Sequence, residues 1–372
     1  MATMLMRAAI FRRPHEPMTV EEVEIADPIG KEVLVRTAAS GVCHSDKHSL
    51  DGLVGARWQG FDKVVLGHEG SGVVEAVGPD VTYVEPGDHI VACLSGFCGG
   101  CEQCLRGHPN LCTSKEGVVM RGAGDAPRLS IDGVPVRQGS EIASHSEAML
   151  LHENSVVKID KRYPLQTAAI VGCAVTTGFG AAIRTSGLKP GETAAIYGCG
   201  GVGLSILQGA RVAGARQIIA VDKFDAKLDL ARELGATDTV NATETDPVAT
   251  IRELTGGRGV DHAFEAVGLP MLVDQAVRSL AIRGTATLVG VLPAGASIEF
   301  PWEALRPECR LQTSRMGSNA FRVDIPNHLE LYEQGRLRLD EMISRRIPLD
   351  SINDAFRAMD EGDGARSLLV FD

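Results

Sequence analysis

The sequence has no run of the roughly 18 apolar residues that a membrane-spanning helix needs, and its opening stretch MATMLMRAAIFRRP is interrupted by Arg7 with no cleavage-type tail. A cytoplasmic location and no membrane association are expected. Positive charge is also short, with 37 Lys and Arg against 48 Asp and Glu and a net charge of −11. Such a field repels nucleic acid and anionic lipid, so neither is expected as a partner, and an anionic ligand has to be held by a local device. Cysteine, at 9 in 372 residues, is too sparse for the disulfide scaffold of a small secreted domain. No internal repeat or low-complexity segment stands out. What is present, 44% apolar and 23% charged residues, is ordinary globular usage, and a length prior of about 150 residues per domain suggests two domains.

Glycine is the outlier, at 42 of 372 residues where about 7% is usual, and many tight turns or close backbone approaches follow. From Met6 to about residue 95 short β-like runs (EVLVRTAAS, SGVVEAVG, HIVACL) are punctuated by Gly, Pro and Asp, which predicts an irregular β domain. Residues 96 to 145 read as a long surface excursion. Near residue 176 the texture changes. TAAIYG, RQIIAVD, DTV, VDHAFEAVG and TATLVG are strand-like, and between them lie the helix-like VGLSILQGARVAG, FDAKLDLAREL, VATIREL and PMLVDQAVRSLAI. That alternation predicts an α/β, doubly wound parallel sheet. The tail returns to mixed text with a last strand at SLLVF.

One turn of this sheet carries a stronger signal. The strand TAAIY runs into GCGGVG, with Gly198, Gly200, Gly201, Val202 and Gly203 opening a helix, and Asp222 ends the next strand 19 residues past Gly203. This is the dinucleotide-binding arrangement: glycines let backbone N–H groups approach a pyrophosphate at a helix N-terminus. Asp222 would accept from the adenosine ribose and repel a 2′-phosphate, which favours NAD over NADP. The competing reading is a glycine turn that only packs strand on helix, with Asp222 capping the following helix.

Cys98, Cys101, Cys104 and Cys112 bring four thiols into one short lobe, enough for a closed tetrahedral zinc site that pins a segment with little core of its own. Free or redox-active thiols are the alternative. Cys43, His68 and Cys173 also stand among glycines, and by spacing alone they could equally be buried thiols and a satisfied histidine.

The motifs GVCHSD, GHEGSG, PGDHI, the four-cysteine series, GCAVTTGFG, GCGGVG and RSLLVF occur in order, and with them the chain resembles the zinc-dependent medium-chain alcohol dehydrogenase family over nearly its whole length. The resemblance implies a Rossmann domain plus an irregular, mostly β (GroES-like) catalytic domain: residues 1–175 catalytic with a zinc lobe at about 94–114, 176–313 NAD-binding, and 314–372 returning to the catalytic domain. It implies two zinc ions per chain, one structural, and one catalytic on Cys43, His68 and Cys173 with an open fourth position. Hydride would pass from a zinc-bound alkoxide to NAD, interconverting an alcohol with an aldehyde or ketone.

By the same resemblance Ser45 and His48 form a proton relay, Asp46 orients His68, and Glu69 either approaches the metal or pairs with Arg366. Thr177 and Gly178 lie on the nicotinamide side, Lys227 near the ribose, Val267, Val289 and Val291 along the nicotinamide, and Arg366 and His44 on the pyrophosphate. A homodimer or homotetramer is implied. The segment from Lys47 to Leu66 and the stretch 113–145 depart from the family pattern, so Trp58 and Leu94 are only candidates for the substrate channel. A thiol-dependent formaldehyde dehydrogenase acting on a hydroxymethyl thiol adduct is the close rival. A non-catalytic NAD-binding protein is the distant one, since fold alone does not confer function.

Overall fold

In a computed structural model the chain is described over residues 3–115, 121–122 and 124–371, so parts of the divergent stretch 113–145 (116–120 and 123) lie outside the described residues. Thr193–Tyr197 is buried along its whole length, as a strand covered by helices on both faces must be. It sits inside a six-stranded parallel sheet ordered Asp238–Asn241, Gln217–Asp222, Thr193–Tyr197, Val260–Glu265, Leu280–Leu288, Arg310–Thr313. Numbered along the chain this is 3-2-1-4-5-6, the doubly wound order whose crevice lies where the strand order reverses. Helices Gly201–Val212, Asp225–Leu234, Pro247–Leu254 and Pro270–Arg278 make the crossovers. Gly235 ends the second of them in the left-handed region, with φ +115°.

The apolar run PMLVDQAVRSLAI predicts a longer helix than forms. The helix stops at Arg278, and Leu280 already pairs with Val260 as the start of the next strand. The free energy of the parallel ladder overrides local helix propensity there.

The other half holds two sheets of mostly antiparallel pairing. Thr3–Phe11 and Thr19–Ala26 pair from Thr3↔Ala26 to Ile10↔Thr19. A seven-stranded sheet centres on Glu32–Gly41, which is flanked by Gly70–Val77, Ala148–His152 and the returning Arg366–Val370. The helices His44–Leu50 and Ala174–Gly180 are among those that escape a periodicity reading of this part. All seven residues of the second are buried, so it has no polar stripe to reveal its period.

One core cluster runs through both halves. Ala39, Val91 and Leu368 of the second sheet and Ile196, Leu204 and Phe264 of the parallel domain all belong to it, bridged by Val175 and Phe179. Close-packed interiors resist deformation, so the sites described next are held in one frame.

Candidate active site and metal centres

Cys43 caps the N-terminus of helix His44–Leu50, His68 lies two residues before strand Gly70–Val77, and Cys173 caps helix Ala174–Gly180. Their ligand atoms all lie within 4.8 Å of one another and all three residues are buried. The donor set suits a cation. Cys173 donates toward Cys43 and holds that thiol well below its usual range, while its own pKa is pushed up. Although burial opposes it, Asp46 and Cys43 raise the pKa of His68. The surroundings thus favour positive charge among three soft or borderline donors, which fits zinc.

Asp46 is buried beside the trio, and its Oδ1 lies 3.2 Å from His68 Nδ1 and accepts from the Gly67 N–H at 3.3 Å. Burial would raise its carboxyl, but the neighbouring His68 and His145 outweigh this and hold it far below the ordinary range. Glu69 Oε1 accepts from the Ala174 N–H at 2.7 Å, and Glu69 Oε2 stands 3.4 Å from Arg366 Nε. Burial pushes this carboxyl up to about 7 against the pull of Arg366. Ser45 and His48 sit three residues apart on the first helix, both half-buried, and His44 is exposed with its ring 5.7 Å from that of His48. Burial lowers the pKa of His48. Its neighbour Lys47 is paired with Asp51 at 2.6 Å and Asp360 at 3.1 Å.

The glycine turn is built to exclude side chains. Gly198 has φ +96°, and a Cβ there would come within 2.4 Å of Val267 Cγ2. One on Gly203 would stand 1.7 Å from the Gly198 carbonyl oxygen. Gly200 caps helix Gly201–Val212 with open space beside it. The Arg366 guanidinium lies over Gly201, 2.5 Å from where a Cβ would be, and also donates to the Val42 carbonyl at 2.8 Å. Asp222 Oδ2 accepts from the Cys199 N–H at 2.7 Å, and its Oδ1 from the N–H groups of Lys223 and Phe224 at 2.8 and 3.1 Å. The acid therefore braces the turn as well as standing at the crevice.

Thr177 and Gly178 lie on the helix that Cys173 caps, and Gly178 packs against the Val202 carbonyl so closely that a Cβ would stand 2.3 Å away. Val267 and Val289 each follow a strand of the parallel sheet, and Val291 is exposed two residues further on. Lys227 lies on helix Asp225–Leu234 with its ammonium 5.1 Å from the Phe224 ring.

Four thiols form the second cluster. Cys98, Cys101, Cys104 and Cys112 lie with their Sγ atoms within 4.8 Å of one another, and the closer pairs measure 3.5, 3.9 and 4.0 Å. A tetrahedron with metal–sulfur bonds of about 2.3 Å has edges of about 3.8 Å, so the thiols are spaced for an ion and not for disulfides of about 2.05 Å. N–H groups of Cys98 and Cys101 donate to cluster sulfurs at 3.3 and 3.2 Å.

Two residues of the site are missed by motif reading. His145, fully buried, faces Asp46 at 3.6 Å, and nothing in its local sequence marks it. Glu265 accepts from the N–H groups of Val267 and Gly268 at 2.9 and 2.7 Å, while its backbone carbonyl receives those of Val289 and Gly290. An acid closing the apolar strand VDHAFE was the available signal. Trp58 packs with the cluster around Phe11, Leu66 and Phe356, and Leu94 with that around Val74 and Met149.

Comparison with known proteins identifies the family. Residues 30–161 match the alcohol dehydrogenase GroES-like domain and residues 201–334 the zinc-binding dehydrogenase domain. The chain is 36% identical to S-(hydroxymethyl)glutathione dehydrogenase of Haemophilus influenzae, with 100% of this chain and 98% of the relative covered. It is 34% identical to an NDMA-dependent alcohol dehydrogenase of Amycolatopsis methanolica, with 98% of each covered. The solved benzyl alcohol dehydrogenase of Acinetobacter calcoaceticus superposes with a TM-score of 0.90 at 33% identity, covering 99% of this chain and 100% of that one. The chain belongs to the zinc-dependent medium-chain alcohol dehydrogenase family.

Proposed function

We propose that this protein is an NAD-dependent alcohol dehydrogenase that reversibly oxidises an alcohol to an aldehyde or ketone, with one zinc held by Cys43, His68 and Cys173 and a second by Cys98, Cys101, Cys104 and Cys112. The observation that carries the reading is the buried trio of donors, whose neighbour Glu69 is joined through Arg366 to the glycine turn. When bound, zinc supplies Lewis acidity without redox change and the nicotinamide supplies the hydride acceptor.

The chain's own residues do the rest. Asp46 fixes the tautomer of His68 by accepting from Nδ1, leaving Nε2 for the metal. The N–H groups of the glycine turn hold the pyrophosphate. Asp222 presents negative charge where NADP would carry a 2′-phosphate, which supports NAD as the cofactor. Ser45 would accept the substrate hydroxyl proton as it passes its own on, and the imidazole of His48 would release a proton to solvent. Arg366 places positive charge both beside Glu69 and at the start of helix Gly201–Val212.

A second reading, the thiol-dependent oxidation of a hydroxymethyl adduct, draws on one feature. Arg315 lies within electrostatic reach of both Arg57 and Lys115, and Arg57 within reach of Asp46. Positive charge of this kind would suit an anionic substituent on the substrate. A cytoplasmic homo-oligomer is the assembly and location we favour: strand Arg310–Thr313 lies at the edge of the parallel sheet with Leu311 exposed, and Trp302 is exposed nearby in sequence.

The test is NADH formation over short aliphatic, terpenoid and aromatic alcohols, with and without glutathione, on protein of measured zinc content. Turnover without thiol and two zinc per chain are expected. Turnover only with thiol moves the assignment to the second reading, and a zinc-replete protein inert on every substrate overturns both.

A further inference from the structure

We propose that His145 is a positioning residue for the Cys43, His68 and Cys173 centre, acting through Asp46, an inference that rests on reading the trio as a metal site. His145 has no exposed surface and lies far from the ligands in sequence. It is brought against them by backbone pairing: its N–H donates to the Leu66 carbonyl at 3.1 Å, and its carbonyl accepts from the Ala9 N–H at 2.9 Å. Gly67, adjacent to His68, makes the approach possible. It has φ +91°, and a Cβ there would stand 2.6 Å from both N and Nδ1 of His145.

The side chains then form a continuous polar line. His68 Nδ1 is 3.2 Å from Asp46 Oδ1, Asp46 Oδ2 is 3.6 Å from His145 Nε2, His145 Nδ1 is 3.1 Å from Ser40 Oγ, and Ser40 Oγ is 2.7 Å from Ser144 Oγ. Asp46 Oδ2 and His145 Nε2 are both buried and neither has a hydrogen-bond partner at ordinary distance; each is the polar atom facing the other. Leaving either without a partner is costly. The assignment that satisfies both puts the His145 proton on Nε2, directed at Asp46, and leaves Nδ1 to accept from the Ser40 hydroxyl. Asp46 is then held by donors on both oxygens, and the ring plane of His68 is fixed in turn. Outer partners of this kind tune how tightly a histidine ligand holds its metal.

The full chain is loaded with zinc and challenged with a chelator, and parallel samples carry cobalt(II) so that the two sites report separately in visible absorption. His145→Phe should weaken zinc binding at the trio by about 10- to 100-fold, the usual loss for an outer-shell partner. It should also shift the cobalt bands of that site and leave the four-cysteine site unchanged. His145→Gln retains a donor and should recover most of the affinity. Wild-type retention in His145→Phe, or equal loss in both variants, overturns the proposal. Nitrogen-15 NMR of histidine-labelled wild-type protein decides the matter should the variants not fold: His145 protonated on Nε2 is expected, and protonation on Nδ1 alone overturns it. If the wild-type trio binds no metal, the site reading and this inference fall together. If it binds metal and the variants match it, only the inference falls.

Discussion

Arg366 and Glu69 face each other in the interior, Nε to Oε2 at 3.4 Å, with side chains 4% and 0% exposed. The pair ties the segment that follows His68 to the helix that opens at Gly201, so the Cys43, His68 and Cys173 trio and the glycine turn share one arginine. Removing Arg366 takes away the cation that offsets the burial of the Glu69 carboxyl. Arg366→Met should destabilise the protein by about 3–5 kcal/mol, and Glu69→Gln added to it should recover part of that loss. Urea denaturation of the single and double variants measures the coupling, and a destabilisation under about 1 kcal/mol would assign the pair no structural role.

Asp222 accepts from the Cys199 N–H within the glycine turn and from the two N–H groups that follow it. Asp222→Gly should therefore do two things: relax discrimination against NADP and weaken NAD itself, because the turn loses its brace. The ratio of kcat/KM for NAD and NADP is the readout, and an unchanged ratio dismisses the charge argument.

Removing one thiol of the lobe separates the two metal sites. Cys104→Ser should lower the zinc content from two per chain to one and make the segment around Cys98–Cys112 more susceptible to proteases, because the lobe has few buried side chains of its own. Metal analysis with limited proteolysis tests this, and two zinc ions retained in the variant would count against the four-thiolate assignment.

Burial keeps His48 below its ordinary pKa, so its neutral, proton-accepting form persists to lower pH than an exposed imidazole would allow. His48→Gln should depress turnover most at the acid end of the pH profile, and a small external base should restore part of it. A variant with the wild-type profile would remove His48 from the proton path.

Stability should fall with acid in two stages. His328 is buried against Phe179 and held down at about 3, and His152 at about 4, both chiefly by burial. The unfolded chain binds protons at these histidines below about pH 6.5 while the folded chain does not, so their contribution is lost as pH falls from there toward the folded values. Burial would raise the Glu32 carboxyl, but the hydrogen-bonded Arg121 and then Arg128 outweigh it and lower it. Its stabilisation is present above its unfolded pKa of about 4.3 and is lost as pH falls through the lower folded value. His328→Phe should flatten the upper stage and leave the lower one, as followed by urea midpoints against pH. An unaltered upper stage would reject the assignment.

The glycine turn, the acid after it, the alternation of strands and helices and the four-cysteine lobe were all legible along the chain, because each is made by residues near one another in sequence. The turn needs glycines at particular backbone angles, and the lobe needs thiols that a short loop can gather. The helix His44–Leu50 was not legible, and neither was Ala174–Gly180, whose complete burial erases the amphipathic period. Cys43, His68 and Cys173 became candidates only through family resemblance, since their separations alone point to nothing.

What tertiary structure decided is how these pieces meet. The Arg366 guanidinium donates to a carbonyl 324 residues away. His145 reaches Asp46 because backbone pairing with Leu66 and Ala9 seats its segment beside Gly67. Glu265 gathers the turns that follow two neighbouring strands of the parallel sheet. Spacing along a chain limits what neighbours can do, but contacts across a sheet depend on register and strand order, which arise from the burial of the whole apolar surface at once. The sequence therefore determined which local devices exist, and the packed fold determined that the glycine turn and the Cys43, His68 and Cys173 trio meet at one buried arginine.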